Sequence, residues 1–153
     1  MALTSEYKHI KYWFGKFTMY KSYNVQARNI LLSFLNLYFP DNESLVSPKL
    51  PIDFEFEKNK AEFSGNNFTD DYKKLKSELK NLNSKIPPLV NAYMNLSDTM
   101  KTFGTADNPE FGAVEETGIL LNISDINESQ RTRHQKNYKT LIDINSIYPS
   151  KQK

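Results

Sequence analysis

The sequence predicts an α/β fold with about three strands and about three to four helices in one domain. Residues 12–20 form a short aromatic run typical of a strand, and residues 24–39 carry apolar side chains at helical spacing. Two further strand candidates, 101–106 and 116–123, follow in the last third of the chain. Because helices and strands are interspersed, and 153 residues are enough for one core, we expect helices packed on a single sheet.

The first strand and the helix after it are the clearest elements. Strand 12–20 is aromatic along most of its length, which predicts burial on much of both faces. The helix begins near Asn24, and Pro40 ends it because proline cannot continue a helix. Its apolar stripe, wide enough to pack on a sheet, consists of Ala27, Ile30, Leu31, Phe34, Leu35 and Tyr38.

Residues 41–68 are predicted to be a long irregular connection, because they contain prolines and a turn-like Ser-Gly-Asn-Asn run. A connection of this length often covers a functional site, and an ordinary surface loop is the alternative. Thr69 is predicted to cap the second helix, whose narrow apolar stripe consists of Tyr72, Leu75, Leu79 and Leu82. Asp70 and Asp71 then lie near the positive end of its dipole.

The remaining elements follow from turn residues and caps. The Pro-Pro pair at 87–88 opens a short third helix, whose apolar composition predicts burial. The turn-rich stretch 107–112 separates the two later strands, and Asp125 or Asn127 caps a last helix that runs to about Leu141. We expect three regions: an N-terminal remnant at 1–10, the folded domain at 11–141 and a flexible tail at 142–153.

Composition excludes several classes of function. The net charge is only +2 and the basic residues are mixed with acids, so we expect no nucleic-acid partner. Cysteine is absent, which excludes disulfides and thiolate chemistry. No stretch reaches the roughly 20 apolar residues that cross a bilayer, and no signal-peptide pattern is present, so we expect a cytoplasmic location. Nine Tyr and ten Phe indicate a bulky core or an aromatic surface for a partner or an apolar ligand.

Familiar catalytic motifs are scarce. The two histidines, His9 and His134, have no second histidine or carboxylate pair at ligand spacing, so we expect no metal site. No Gly-x-Ser-x-Gly turn is present, and the five glycines are too dispersed for a phosphate-binding loop.

One carboxylate pair, Glu115 and Glu116, precedes the apolar run 119–121. Because successive strand residues point to opposite faces, at most one of the two can face the core. Burial would raise the pKa of that glutamate, which suits a general base. Two solvated acids at the entry to a strand are the alternative interpretation.

Several runs together resemble the C-terminal region of the hemolysin-like GNAT acyltransferases, which are similar to enzymes that N-acylate ornithine or glycine in aminolipid synthesis and to N-acyl amino acid synthases. The runs are WFGKFTMY at 13–20, IPPLVNAYMNLS at 86–97, TMKTFGTA at 99–106, FG at 111–112 and EETGI at 115–119. The resemblance covers about residues 11–138. It implies that the α/β domain is the C-terminal half of a GNAT fold, with 13–20 as the fifth core strand.

The resemblance also implies site residues. Asn24 and Ala27 match an Asn-x-x-Ala motif whose asparagine lies near the pantetheine arm of the acyl donor. The tyrosine that serves many relatives as general acid is replaced by Leu31. Glu115 or Glu116 would then lie near the amine. A groove for the acyl chain and the acceptor would use Trp13, Phe14, Tyr93, Phe103 and Phe111.

The implied function is transfer of a long-chain acyl group from an acyl-carrier-protein or CoA thioester, as co-substrate, to a small-molecule amine, either an amino acid or an aminolipid precursor. No cofactor is expected to stay bound. The donor-binding half would precede residue 11, so we expect a truncated chain, a split gene or one half of an assembly, inactive by itself. The alternative is a non-enzymatic module that binds an acyl carrier or completes another subunit. Dimerisation through an exposed half-sheet and peripheral contact with the inner membrane both stay open.

Overall fold

The computed structural model describes residues 10–130 and residue 132. In this part of the chain, a three-stranded antiparallel sheet combines with four α-helices, which confirms the predicted α/β class. The elements are β1 (Tyr12–Met19), α1 (Val25–Tyr38), α2 (Phe56–Lys60), α3 (Phe68–Asn81), α4 (Pro88–Met94), β2 (Lys101–Asn108), β3 (Val114–Asn122) and a 3₁₀ turn (Ile123–Asp125).

The sheet has the order β1-β3-β2, so the last strand lies in the middle. β1 pairs antiparallel with β3 along its whole length, and its last residue, Met19, lies opposite Glu115. β2 and β3 form a hairpin whose register shifts between Phe103 and Thr105, where Gly104 makes a bulge. The sheet therefore joins residues from the two ends of the described chain.

The two outer edges of the sheet differ. The edge of β2 is covered by the chain that follows α1, because Thr102 donates its backbone N–H to the Phe39 carbonyl at 2.8 Å and Ile52 donates to Thr105 at 3.0 Å. The edge of β1 pairs with no strand among residues 10–130. An unpaired strand edge of eight residues is a surface on which another strand can add.

The two faces of the sheet differ as well. One face shares a core with α1, to which the strands contribute Phe17, Met19, Ile119 and Leu121. The other face is open along β1, where the Phe14 side chain is 67% exposed. The prediction that the first strand is buried on both faces is therefore wrong. Its aromatic residues alternate between a buried and an open surface, which composition alone does not reveal.

Aromatic rings join α1 to α3. The Phe34 ring lies 4.8 Å from that of Tyr38 and 5.6 Å from that of Phe68, between ring centroids. Phe68 in turn stacks on Tyr72 at 5.8 Å. The high aromatic content therefore serves the core to a large extent, and it fixes α3 against the first helix.

Three local predictions need correction. The connection 41–68 contains the short helix α2. The cap of α3 is Asn67, whose Oδ1 accepts from the Asp70 N–H at 3.2 Å, so the assignment of the cap to Thr69 is wrong by two residues. Burial of α4 is only partial, because Leu89 on its outer side is 50% exposed.

The predicted last helix has its first turn in the described residues. Residues 128–130 are helical, and Gln130 donates to the Asn127 carbonyl at 3.0 Å, so the chain turns into a helix just after Asn127. The predicted course of the last helix beyond residue 132, the stretch 1–9 of the predicted remnant and the tail 142–153 lie outside the described residues.

A buried carboxylate fixes the turn that precedes α3. Asp71 accepts hydrogen bonds from the Tyr38 hydroxyl, from the Ser64 N–H at 3.1 Å and from the Gly65 N–H at 2.9 Å. Burial alone raises the pKa of Asp71, but the hydrogen bond from Tyr38 and those from Ser64 and Gly65 outweigh it and lower the pKa from 3.8 to about 2. Asp71 therefore bonds to its neighbours as an anion.

We expect Asp71→Asn to lower the free energy of unfolding at neutral pH by about 2 kcal/mol, because an amide cannot replace the anionic acceptor. Since the folded pKa lies below the ordinary value, this stability is complete above about pH 4 and is lost as the pH falls towards about 2. Urea denaturation across that range should show a flatter pH dependence for the variant. The control is Asp70→Asn, whose side chain is 66% exposed; an equal effect of the two variants would contradict the role of Asp71.

Candidate active site at one end of the sheet

The predicted site residues meet where β1 ends, α1 begins and β3 begins. Met19 and Thr18 at the end of β1 lie opposite Glu115 and Glu116 at the start of β3. The chain then turns into α1, which begins one residue after Asn24. The two glutamates point to opposite faces of the sheet, Glu115 into the core and Glu116 to the open face, as their adjacency predicts.

Glu115 is buried against α1 and forms an ion pair with Arg28. The side chain of Glu115 is 7% exposed, and Arg28 Nη1 donates to its Oε1. The guanidinium also donates to Asn29 Oδ1, at 3.0 Å from Nε and 2.7 Å from Nη2. Asn29 then donates to Glu55 Oε2 at 3.2 Å. Four polar side chains thus link β3, α1 and the start of α2.

Glu116 lies on the open face beside a cation of β1. Lys16 Nζ donates to Glu116 Oε1 at 2.5 Å, and Asn108 Nδ2 donates to Oε2 at 3.0 Å. These two hydrogen bonds, first that from Lys16, lower the pKa of Glu116 below its usual range against the opposing effect of burial. Glu116 is therefore a carboxylate at neutral pH, with an ammonium directly beside it.

The expectation of a desolvated general base depended on a core-facing glutamate without a counter-charge. The core-facing glutamate is Glu115, and Arg28 supplies that counter-charge. On the open face, the pKa of Glu116 moves down rather than up. A carboxylate with a lowered pKa is a weak proton acceptor near neutrality, but it is an effective hydrogen-bond acceptor for an ammonium group.

The five aromatic residues predicted for the acyl groove are divided between two places. Phe14 and Phe103 stack on the open face with centroids 5.9 Å apart, and Phe111 lies on the same side, 5.6 Å from Lys16 Nζ. Trp13 and Tyr93 pack instead against the main core. The structure therefore brings together three of the five, around the pair of Lys16 and Glu116.

A glycine makes room for the aromatic stack. A Cβ on Gly118 would lie 3.2 Å from Phe103 Cδ2 and 3.8 Å from Phe14 Cζ. A larger residue at this central position of β3 would push both rings outward. The stacking of Phe14 on the buried Phe103 thus depends on the absence of a side chain at position 118.

Asn24 has a structural role at the start of α1. Its Oδ1 accepts from the Ala27 N–H at 3.1 Å, so it is the N-cap of the helix. Ala27 is fully buried, and its small side chain lets the helix lie close to the sheet. The Asn-x-x-Ala pattern is thus explained locally by one cap and one close contact, and a role of Asn24 towards a donor stays a prediction.

Sequence reasoning missed Arg28, Lys16 and Asn108. Arg28 and Glu115 are 87 positions apart, and only the pairing of β1 with β3 brings α1 over Glu115. Lys16 is a lone basic residue in an aromatic strand, and that departure from the pattern was the one available signal. Among residues 10–130, no three His, Cys, Asp or Glu side chains gather as a metal site, and no helix in this part is long and apolar enough to cross a membrane.

Comparison with known proteins reveals two strong sequence similarities. The chain is 48% identical over 139 residues, 90% of its length, to the glycine N(alpha)-acyltransferase of Phocaeicola vulgatus, of which it spans 43%. It is 50% identical over 135 residues, 87% of its length, to the glycine N(alpha)-acyltransferase of Bacteroides thetaiotaomicron, of which it spans 40%. The chain thus spans less than half of each relative. No protein-family profile and no solved structure matches it.

We expect Arg28→Met to lower the free energy of unfolding by about 3 kcal/mol, because it leaves Glu115 buried without its cation. The double variant Arg28→Met/Glu115→Leu should recover most of that loss. Lys73→Met removes an exposed ion pair with Asp70 and should cost less than about 1 kcal/mol. Urea denaturation measures all three, and a loss for Arg28→Met no larger than that for Lys73→Met would show that the pair is not buried in solution.

Proposed function

We propose that this chain is the acceptor side of an N-acyltransferase that moves an acyl group from a thioester to an amine. The observation that carries the proposal is the identity of about half of the aligned residues with two glycine N(alpha)-acyltransferases over nine-tenths of the chain. In finer terms, we propose the C-terminal half of a GNAT-type, hemolysin-like fold, a long-chain acyl group and a role in aminolipid synthesis.

Glycine is the acceptor that fits the open face. A free amino acid carries an ammonium and a carboxylate, and Lys16 and Glu116 present an ammonium and a carboxylate 2.5 Å apart. When glycine binds, its ammonium would pair with Glu116 and its carboxylate with Lys16, so every charge would stay paired. The exposed Phe14 ring beside this pair, which stacks on the buried Phe103, offers an apolar surface for the acyl chain. In this arrangement Glu116 anchors the amine and is not the group that removes its proton.

The donor is an acyl-carrier-protein or CoA thioester, with Asn24 beside its pantetheine arm. Reaction requires the neutral amine to attack the thioester carbonyl, with release of the thiol and stabilisation of the tetrahedral oxyanion. Because the chain spans less than half of the relatives, we propose that further residues supply the donor site and the oxyanion donors. We expect the chain alone to be inactive.

The exposed face favours a second candidate, a module that completes another subunit without chemistry of its own. Tyr12, Phe14 and Phe111 are each more than half exposed, and the β1 edge lacks a strand partner among the described residues. Such a surface is suited to a protein interface. The two candidates differ in their dependence on Glu116, because a docking module does not need a charged pair for turnover.

The test uses a chimera in which this chain replaces the matching segment of the P. vulgatus enzyme. We expect Glu116→Gln to raise the KM for glycine about tenfold or more, because a charged hydrogen bond to the ammonium is lost. Glu62→Gln, which alters only an exposed pair with Lys74, is the matched control. If the active Glu116→Gln chimera has the same KM for glycine as the unmodified chimera, Glu116 does not belong to the acceptor site.

The pH profile of the same chimera separates an anchor from a base. Because the pKa of Glu116 is lowered, its anionic form persists throughout the neutral range. The ionisation that limits kcat near neutrality should therefore persist in Glu116→Gln. If that ionisation is absent from the pH dependence of kcat in the variant, Glu116 is instead the general base.

A further inference from the structure

A groove between the second half of α3 and the start of α4 shares no residue with the proposed acceptor surface. It has a volume of about 470 Å³ and is called here the lysine groove. We propose that it binds a single-chain anionic amphiphile, with the charged head on the lysines and the alkyl chain along an apolar wall. The proposal does not depend on the proposed acyl transfer. The lining includes Tyr72, Lys76, Lys80, Lys85, Ile86 and Asn91.

The positive charge of the lysine groove is not neutralised by neighbouring acids. Within residues 10–130, none of Lys76, Lys80 and Lys85 has a carboxylate within ion-pair distance, and no acidic residue lines the groove. Lys73 and Lys74 on the same helix differ in this respect, because each forms an ion pair with an acidic residue. Three ammonium groups without counter-charge around one concave surface attract an anion.

Local contacts stabilise two of these lysines without cancelling their charge. Lys76 Nζ lies 4.8 Å from the centroid of the Tyr72 ring, at the distance of a cation–π contact. Lys80 lies in the last turn of α3, where the helix dipole favours a cation. An ammonium group has three N–H donors, and neither contact uses all of them. Both lysines can therefore still bind an anion.

An apolar wall runs beside the lysines. Tyr72, Lys76 and Lys80 follow one another at four-residue spacing, so they form one stripe about 12 Å long on α3. The Tyr72 ring and the methylene stems of the lysines supply apolar area along this stripe, and Ile86 adds an aliphatic surface from the segment before α4. A bare inorganic anion would leave this wall in water, whereas an alkyl chain would cover it. The lining thus favours an amphiphile.

Contacts within the protein hold the groove in shape. The Tyr72 hydroxyl donates to Asn91 Oδ1, which ties α3 to α4. The Tyr23 hydroxyl donates to the Lys85 carbonyl at 2.9 Å, which fixes the segment between these two helices. A site that is formed before the ligand arrives loses little conformational entropy on binding.

The same region favours one small molecule over a membrane surface. Helices that dock on a bilayer bury several protruding apolar side chains in it. Among the exposed large hydrophobic side chains of residues 10–130, only Leu89 belongs to α3 or α4. The volume of about 470 Å³ also lies within the range typical of sites for small ligands.

Calorimetric titration of the full 153-residue chain, below the critical micelle concentration of each ligand, tests the proposal. We expect dodecanoate to bind. Acetate, which lacks the chain, and dodecyltrimethylammonium, which carries the opposite charge, should both bind at least about tenfold more weakly. Equal binding of either control ligand would overturn the proposal.

N-dodecanoylglycine distinguishes two sources of such a ligand. Tighter binding than that of dodecanoate would identify an acylated amino acid, and equal or weaker binding would identify a free fatty acid. If neither carboxylate binds, the proposal is wrong. Binding of the chain to phosphatidylglycerol vesicles in that case would assign the lysines to a membrane surface instead.

Variants locate the site. Lys76→Met/Lys80→Met should weaken dodecanoate binding about tenfold or more, and an ionic strength of about 0.5 M should weaken binding to the unmodified chain. Lys73→Met on the same helix is the matched control and should leave the affinity unchanged, because Lys73 pairs with Asp70. An equal loss in the control would show nonspecific attraction to α3 and overturn the assignment. Circular dichroism verifies that each variant is folded.

The binding test is independent of turnover. An active chimera whose affinity for dodecanoate ignores Lys76 and Lys80 would refute the lysine groove and leave the acyl transfer intact. Dodecanoate binding that depends on these lysines, in a folded chimera without transferase activity, would support the groove and refute the proposed function.

Discussion

The buried ion pair between Arg28 and Glu115 is the interaction on which the rest of the site depends. It joins the first turns of α1 to the first residues of β3. The two contacting residues, Arg28 and Glu115, are 87 positions apart in the sequence. Through Asn29 it also reaches Glu55 at the start of α2. Because a buried charge without a partner is costly, this pair permits few alternative placements of α1 on the sheet.

The pair also determines which side chains the open face of the sheet presents. With α1 fixed on one face, Glu116 must point to the other face, where Lys16 and the exposed Phe14 ring place charge and apolar area side by side. The start of α1 is held as well, because the Tyr23 hydroxyl donates to the Lys85 carbonyl just before α4.

The fold class and part of the site could be predicted from the sequence because they depend on local patterns. The spacing of Ala27, Leu31 and Leu35 predicts α1, and alternation along β3 correctly places only one of Glu115 and Glu116 in the core. The open face of β1 and the partners Arg28 and Lys16 depend on strand register and on helix position, which arise from contacts far apart in sequence. The cap at Asn67 was missed for another reason, since Asn67 and Thr69 are both acceptable caps and the residue types alone do not select between them.

The most direct test replaces the central ion pair by apolar side chains in the chimera with the P. vulgatus enzyme. Arg28→Met/Glu115→Leu should fold with a free energy of unfolding close to that of the parent chimera, because no buried charge is left alone. Its rate of acyl transfer to glycine, measured by product formation, should nevertheless fall at least about tenfold, because α1 and β3 lose the polar contact that sets their relative position. A folded double variant that transfers acyl groups at the parent rate would contradict the account.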